Sequence, residues 1–275
     1  MPFNEIEISI SSARPYRLYL FERGGERWAY TNADRDVTYQ NIAYKALPIS
    51  DDGIRATGEV SADQMTVTAP ADLDVAMMFR AAAPSDDIWL TLRDSSYGLP
   101  DAADSAAVVW VGSVRAVRWS EPGKSELCCN SISASMGQTG LRLSFERSCP
   151  HCLYDGQCRV SAALYKVTRN IIDMNGQSIV VSGIDSTPIY AGGIVQWQSG
   201  IATERRAIEA QGGNTLAILG GTYGMKTGMS VALYPGCDQT RETCDSRFNN
   251  IENFGGFAHM PGKSPFDGDA IYSGS

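Results

Sequence analysis

Tyr16-Arg17-Leu18-Tyr19-Leu20-Phe21-Glu22-Arg23-Gly24-Gly25-Glu26-Arg27-Trp28-Ala29-Tyr30-Thr31 sets the local rule for this chain. Successive side chains of an extended strand point to opposite faces, so Tyr16, Leu18 and Leu20 share one face and Arg17, Tyr19 and Phe21 the other. Gly24-Gly25 then turns the chain into Glu26–Thr31, since glycine reaches positive φ without steric penalty. The same period of two runs outward through Val37, Tyr39 and Ile42–Leu47, then Ile88–Leu92 and Ala107–Trp119. The last of these is long enough that Gly112 is expected to mark a bulge. Leu164–Ile172 and Ser178–Ser182 flank Asn175-Gly176, a hairpin signal because the tight turn needs positive φ. Ile194–Gln198, Arg206–Ala210 and Thr215–Leu219 read as further strands, the last two joined across Gly212-Gly213-Asn214. Gly220-Gly-Thr-Tyr-Gly224 reads as a loop between strands. Two helices are expected, Leu73–Ala83 capped by Asp72 and stopped before Pro84, and a short one within Gln239–Asn250. The fold class is therefore mainly β.

At 275 residues the chain is long enough to bury roughly 75% of the surface its unfolded form would expose, so one or two packed domains are expected. Hydrophobic residues at 43% and charged residues at 20% exclude a globally disordered chain. No run approaches the roughly 20 apolar residues of a spanning helix. Met1–Ser12 carries Glu5 and Glu7 and lacks the basic start and apolar run of a secretory leader, so folding is expected in a cytosol. With 23 basic against 31 acidic residues the net charge is −8, which disfavours the phosphate neutralisation that dominates nucleic-acid affinity. DNA near such a surface would be repelled, as suits a conduit.

Seven cysteines make an odd count, and a reducing compartment disfavours structural disulfides. Five fall in two tight groups, Cys149-Pro-His-Cys152-Leu-Tyr-Asp-Gly-Gln-Cys158 and Cys237-Asp-Gln-Thr-Arg-Glu-Thr-Cys244. Clustered soft thiolates select zinc, copper(I) or iron–sulfur clusters. Structural zinc knuckles space their cysteines two to four residues apart, a rule met only by Cys149 and Cys152. An iron–sulfur cluster accepts ligands from more widely spread loops, so the spacing tilts toward one. Cys152 stands as an alternative to Cys158, and His151 is near enough in sequence to coordinate. Cys128 and Cys129, in Glu126-Leu-Cys-Cys-Asn130, read as a strand with one cysteine buried and its neighbour facing out. A domain boundary is expected near Ser144–Ser148, giving a β domain over residues 1–145 and a cysteine-bearing region over 146–275. A β-rich insertion, about 159–234, would be looped out between the two cysteine groups. The segment after Phe257, rich in Gly, Pro, Ser and Asp, is expected to lie extended or frayed.

Pro235-Gly-Cys237-Asp, Cys244, Phe248, Asn250, Asn253-Phe254, Gly256-Phe257 and Pro261-Gly262 together resemble the carboxyl-terminal signature of a phage tail-tip, or baseplate hub, family. That family includes hub proteins of siphophages, Mu-like siphophages and gene transfer agents, and the tail tip protein of phage lambda. Arg27-Trp28-Ala-Tyr30-Thr31, Asp36-Val37-Thr38-Tyr39, Tyr44 and Trp110-Val111-Gly112 resemble its amino-terminal half more loosely. The resemblance implies β-barrel-type hub domains and a small irregular cysteine-rich region near the carboxyl terminus. It further implies a [4Fe-4S] cluster held by Cys149, Cys158, Cys237 and Cys244, leaving Cys152 as an extra. Phe248, Phe254 and Phe257 would pack over that cluster, with Gly236, Gly255 and Gly256 allowing tight turns and Asn250 and Asn253 tying down loop backbone. As partners it implies a homotrimeric ring in the virion between the distal tail protein and the central hub or fibre protein, with phage DNA passing through without specific binding.

Catalysis finds little support in the residues. The two histidines, His151 and His259, stand in no triad context, and no Gly-x-Ser-x-Gly elbow or complete phosphate loop occurs. Gly123-Lys-Ser125 and Gly262-Lys-Ser264 match only the end of a phosphate loop. Asp72 and Asp74, or Asp86 and Asp87, have nothing that separates them from solvated surface. The expectation is a structural tail protein and no enzyme, with a cytosolic iron–sulfur or zinc redox enzyme, and a zinc-stapled structural protein, as rivals.

Overall fold

The structure, a computed structural model, describes residues 14–54, 64–97, 105–135, 145–184 and 187–260. The expectations for Met1–Ser12, and for all but the first few residues after Phe257, lie outside those residues. The chain divides into two compact units, Met1–Thr139 with Gln198–Glu204, and Gly140–Trp197 with Arg205–Ser275.

The first unit is one nine-stranded sheet. β1 (Pro15–Arg23) pairs antiparallel with β2 (Glu26–Thr31) across Gly24-Gly25, whose φ values of 53° and 96° are the positive ones the turn requires. β3 (Val37–Tyr39), β4 (Ile42–Ala46), β5 (Ser50–Asp51), β6 (Gln64–Pro70), β7 (Ile88–Ser96), β8 (Ala106–Arg118) and β9 (Lys124–Ser131) complete the order β3-β4-β2-β1-β7-β8-β9-β6-β5. The alternation along β1 feeds two cores. Tyr19 and Phe21 join Met65, Val67, Leu90 and Leu127 on one face, while Leu18 and Leu20 join Tyr39 and Tyr44 on the other. Both faces being covered explains why the run Leu18–Phe21 has no charged residue. Arg17 on β1 binds Asp51 and Asp94, and the Tyr19 hydroxyl donates to Asp51 at 2.7 Å. Cys129 is buried and Cys128 half-buried, as strand alternation on β9 requires.

The second unit holds a closed barrel. β10 (Val167–Asn175), β11 (Ser178–Val181), β12 (Ile194–Ser199), β13 (Ala202–Gly212), β14 (Thr215–Ile218) and β15 (Ser230–Tyr234) run in the order β10-β11-β14-β13-β12-β15 and back to β10. Closure leaves no free strand edge. Ile171, Ile179, Val195, Trp197, Leu216 and Leu233 fill the interior at 0–3% exposure. β10 and β11 meet across Asn175-Gly176 as expected, but neither residue takes the positive φ expected of the turn; instead Asn175 Oδ1 accepts from the Gln177 and Ser178 amides.

Several local expectations need correction. The first helix, α1, covers only Asp74–Met78, and its N-cap position is Leu73 with no side-chain cap from Asp72. Only Val75 and Ala76 of it are buried, so little packing supports further turns. Strand β10 starts at Val167 and not at residue 164, because its pairing with β15 begins at Val167↔Leu233 while Tyr234 pairs with Ile194. With no strand to pair with, Ala162–Tyr165 forms a single helical turn, α2. The bulges of β8 lie at Val109 and Arg115, not at Gly112. Gly112 is glycine for space: the Trp110 ring crosses it, and a Cβ there would come within 2.8 Å of the ring's Cζ2. Strands β6 and β15 went unread.

Candidate functional site

Two loops of the second unit, entering and leaving the barrel, carry the cysteines. The first, residues 149–158, is wound around Asp155. Its Oδ1 accepts from the Cys158 amide at 2.6 Å and the Gln157 amide at 2.9 Å, and its Oδ2 from the Cys152 amide at 3.2 Å. These amides, that of Cys158 foremost, hold the Asp155 carboxyl below its usual range. The second loop leaves β15 at Pro235 and enters α3 (Arg241–Ser246), capped by Thr240, whose hydroxyl accepts from the Thr243 amide at 3.2 Å. Cys244 lies on the buried side of α3. That helix is shorter than the expected Gln239–Asn250, and a 3₁₀ turn at Ile251–Asn253 follows it.

The loops are bound to each other and to the barrel. The Cys149 amide donates to the Gln239 carbonyl at 2.9 Å. Tyr154 Oη donates to the Pro235 carbonyl at 2.7 Å, and Arg247 Nη1 to the Gly236 carbonyl at 2.6 Å. The Tyr154, Tyr165 and Phe248 rings pack edge to face, with centroids 6.3 Å (Tyr154–Phe248) and 5.1 Å (Tyr165–Phe248) apart. Gly192-Gly193 faces Gly236 so closely that a Cβ on Gly236 would overlap the Ala191 carbonyl. Gly255 lies against the His151 ring, and Gly256 against the Ser148 carbonyl, where a Cβ would sit 2.6 Å away. Gly236, Gly255 and Gly256 thus serve close approach, not the positive φ of a turn. Left-handed φ instead falls on Tyr154, Arg159, Gln239 and Asn249, four of the six such non-glycine residues among those described. A conformation this costly persists where the surroundings impose it, and such residues gather at functional sites.

These contacts shape a cavity of about 300 Å³ lined by Cys149, Cys152, Cys158, Cys237 and Cys244 together with His151, Phe248 and Asn253. Among the described residues no three Cys, His, Asp or Glu side chains converge closely enough to hold a single ion. The thiols instead surround a space. Cys149, Cys158 and Cys237 are half-buried, Cys244 is buried, and Cys152 is exposed. Burial pushes the Cys244 thiol above its usual range, and the nearby Cys149, Cys237 and Cys158 push it further. Burial likewise raises Cys237, against the Gln239 amide, with Cys149 and Cys158 again contributing. Three N–H groups point at sulfur: the Gln239 amide to Cys237 Sγ at 3.3 Å, the Gly255 amide to Cys149 Sγ at 3.4 Å, and Asn250 Nδ2 to Cys158 Sγ at 3.9 Å.

His151 Nδ1 lies 3.2 Å from the Asn253 carbonyl, which engages that nitrogen. Phe248 lines the cavity as expected. Phe254 and Phe257 do not, and instead line a neighbouring apolar groove with Ile251 and Met260. Asp155, Tyr154 and Arg247 were missed by sequence reasoning. Asp155-Gly156 is a readable turn signal, whereas neither tyrosine nor arginine in a loop predicts which carbonyl it will reach.

Residues 10–161, more than half of the chain, match the family described as baseplate hub protein, N-terminal attachment domain. The chain belongs to the baseplate hub family. Membership places it in the virion, in the phage tail. Residues 188–264, which hold most of the barrel and the second cysteine loop, match a second family described as phage conserved hypothetical protein BR0599. An uncharacterized protein of Xylella fastidiosa (strain 9a5c) is 28% identical over 185 residues, 62% of this chain. The match spans only 38% of that relative's length. A chain solved in the virion of a native gene transfer agent particle superposes with a TM-score of 0.80 over 99% of this chain and 97% of its own. At 18% identity that likeness establishes a shared fold.

Proposed function

We propose that this baseplate hub protein is a structural subunit of the tail tip whose second unit is closed by a [4Fe-4S] cluster on Cys149, Cys158, Cys237 and Cys244. The observation that carries the reading is the cavity itself: thiols from loops separated by residues 159–236 surround one space of about 300 Å³. Four separated thiols around a volume suit a polynuclear group better than one tetrahedral ion. N–H groups aimed at three of the sulfurs fit the same occupant, because they favour thiolate over thiol. Cys158 is preferred to Cys152 because it is less exposed and is tied to the second loop by Asn250 Nδ2, which donates to its carbonyl at 2.6 Å. When bound, the cluster supplies iron–thiolate bonds that cross-link the two loops, so that its binding free energy becomes folding free energy. The chain's own residues hold the loops in register, exclude water with Phe248 and orient the sulfurs.

At the level of the particle, three copies form a ring joining the distal tail protein to the central hub or fibre protein, and phage DNA passes through it without specific binding. Family membership and the gene transfer agent fold support this role, as does the net charge of −8, which keeps a conduit wall from retaining DNA. The work is mechanical and not catalytic.

Anaerobic purification followed by a visible absorption spectrum and iron, sulfide and zinc analysis tests the cluster. About four irons per chain are expected. Cys152→Ser should keep them and Cys158→Ser should lose them. Zinc in place of iron would leave a zinc-stapled hub, and a soluble monomer with redox turnover would favour the cytosolic enzyme. Light scattering of the purified chain, alone and with neighbouring tail proteins, tests the trimer.

A further inference from the structure

Asn250 sits where the two cysteine loops meet, and all of its polar atoms are committed. Its Nδ2 donates to the Cys158 carbonyl at 2.6 Å and faces Cys158 Sγ at 3.9 Å. Its Oδ1 accepts from Asn253 Nδ2 at 2.6 Å, which fixes the amide so that the NH₂ end points at Cys158. Its backbone amide donates to the Cys244 carbonyl at 3.0 Å, and its own carbonyl accepts from the Cys244 thiol at 3.3 Å. Asn253 in turn engages His151 through its carbonyl. One residue therefore ties a cysteine of the first loop, through its side chain, to a cysteine of the second, through its backbone.

We infer that Asn250 is a positioning residue for the cluster site, selecting Cys158 as the fourth ligand and tuning the bound group through an N–H directed at its sulfur. The inference rests on the cluster reading above. Among the described residues the hydrogen bonds of Cys152 run to Asp155 of its own loop, and none ties it to Cys244 as Asn250 ties Cys158. An N–H toward sulfur stabilises the more negative, reduced form of an iron–sulfur group and so raises its reduction potential. A carboxylate in the same place has no proton to donate, adds negative charge, and sets an oxygen against the Cys158 carbonyl.

The test compares wild type, Asn250→Asp and Asn253→Ala, purified anaerobically as the full chain. Iron per chain, midpoint potential and the rate of iron loss to a chelator are measured on each. Asn250→Asp is nearly isosteric and should lower the potential and speed iron loss by about tenfold to a hundredfold, the usual effect of removing a ligand's outer partner. Asn253→Ala, which only frees the Asn250 amide to rotate, should shift both in the same direction by less and covers the case in which the aspartate variant does not fold. Wild type without iron sinks the cluster reading and this inference together. Iron in wild type, with an unchanged potential in both Asn250→Asp and Asn253→Ala, overturns the role of Asn250 alone.

Discussion

Removing the cluster, by chelation or by Cys237→Ser, should release the cysteine loops while leaving the barrel folded. Between Cys158 and Cys237 lie 78 residues, and closing a loop of that length in an otherwise unfolded chain is worth about 4.5 kcal/mol on the loop-entropy relation for a cross-link. The barrel already closes most of that loop, because Val167 on β10 pairs with Leu233 on β15. Only residues 159–166 and 235–236 lie outside the paired strands, a closed path for which the same relation gives about 3 kcal/mol. Loss of the cluster should thus lower hydrogen-exchange protection in 146–160 and 236–257 by up to about 100-fold, which is what about 3 kcal/mol allows. Peptides from β10, β11 and β14 should keep their protection, because their stability comes from the core of Ile171, Ile179, Leu216 and Leu233. Equal loss of protection in barrel and loops would refute the reasoning. So would loops that exchange as slowly without iron as with it.

Three further outcomes are expected. Asp51 accepts from Arg17 and Tyr19 and titrates below its usual 3.8, so its stabilisation is present above that value and is lost as pH falls through the lower folded value; acid unfolding of wild type against Asp51→Asn should converge there and differ by about 2 kcal/mol at neutral pH. Gly236→Ala should reduce both protein stability and iron content, read by thermal melts and metal analysis, because its Cβ would collide with the Ala191 carbonyl and part the barrel end from the second cysteine loop. Leu216→Ala, at a fully buried barrel position, should cost about 2–5 kcal/mol in denaturant unfolding while sparing the cysteine loops' iron binding under native conditions.

Strand periodicity made the mainly β character legible, and the clearest cases were those with local punctuation. Gly24-Gly25 and Asn175-Gly176 name their own turns, and the alternation in Tyr16–Phe21 names its own strand. Elements with one buried side and a weak turn signal escaped. β6 alternates Met65, Val67 and Ala69 with Thr66 and Thr68, yet its partner β9 lies nearly sixty residues away and nothing nearby announces the pairing. The helical stretch at 73–83 failed for the opposite reason, since local propensity favoured a length that packing does not support. At the cysteine site, residue type pointed to thiol chemistry but not to its arrangement. What distinguishes Cys158 from Cys152 is a hydrogen bond from Asn250, 92 residues downstream, which no spacing rule within the first loop contains.

The two halves of the second unit are stabilised by different chemistry. The barrel needs no cross-link: its strands satisfy one another's backbone groups, and its interior is filled by aliphatic side chains and Trp197. The cysteine loops have only α2, α3 and one 3₁₀ turn, four non-glycine residues at left-handed φ, and a cavity where a core would be. Hydrophobic burial is available there chiefly through Phe248, Cys244 and Val160. A segment so poor in apolar contacts holds a fixed conformation only if something stronger than burial closes it. Iron–thiolate bonds meet that need without enlarging the core. With the proposed cluster in place this region would be able to loosen separately, because its closure would rest on a group that oxidation or chelation removes while the barrel's core would stay intact.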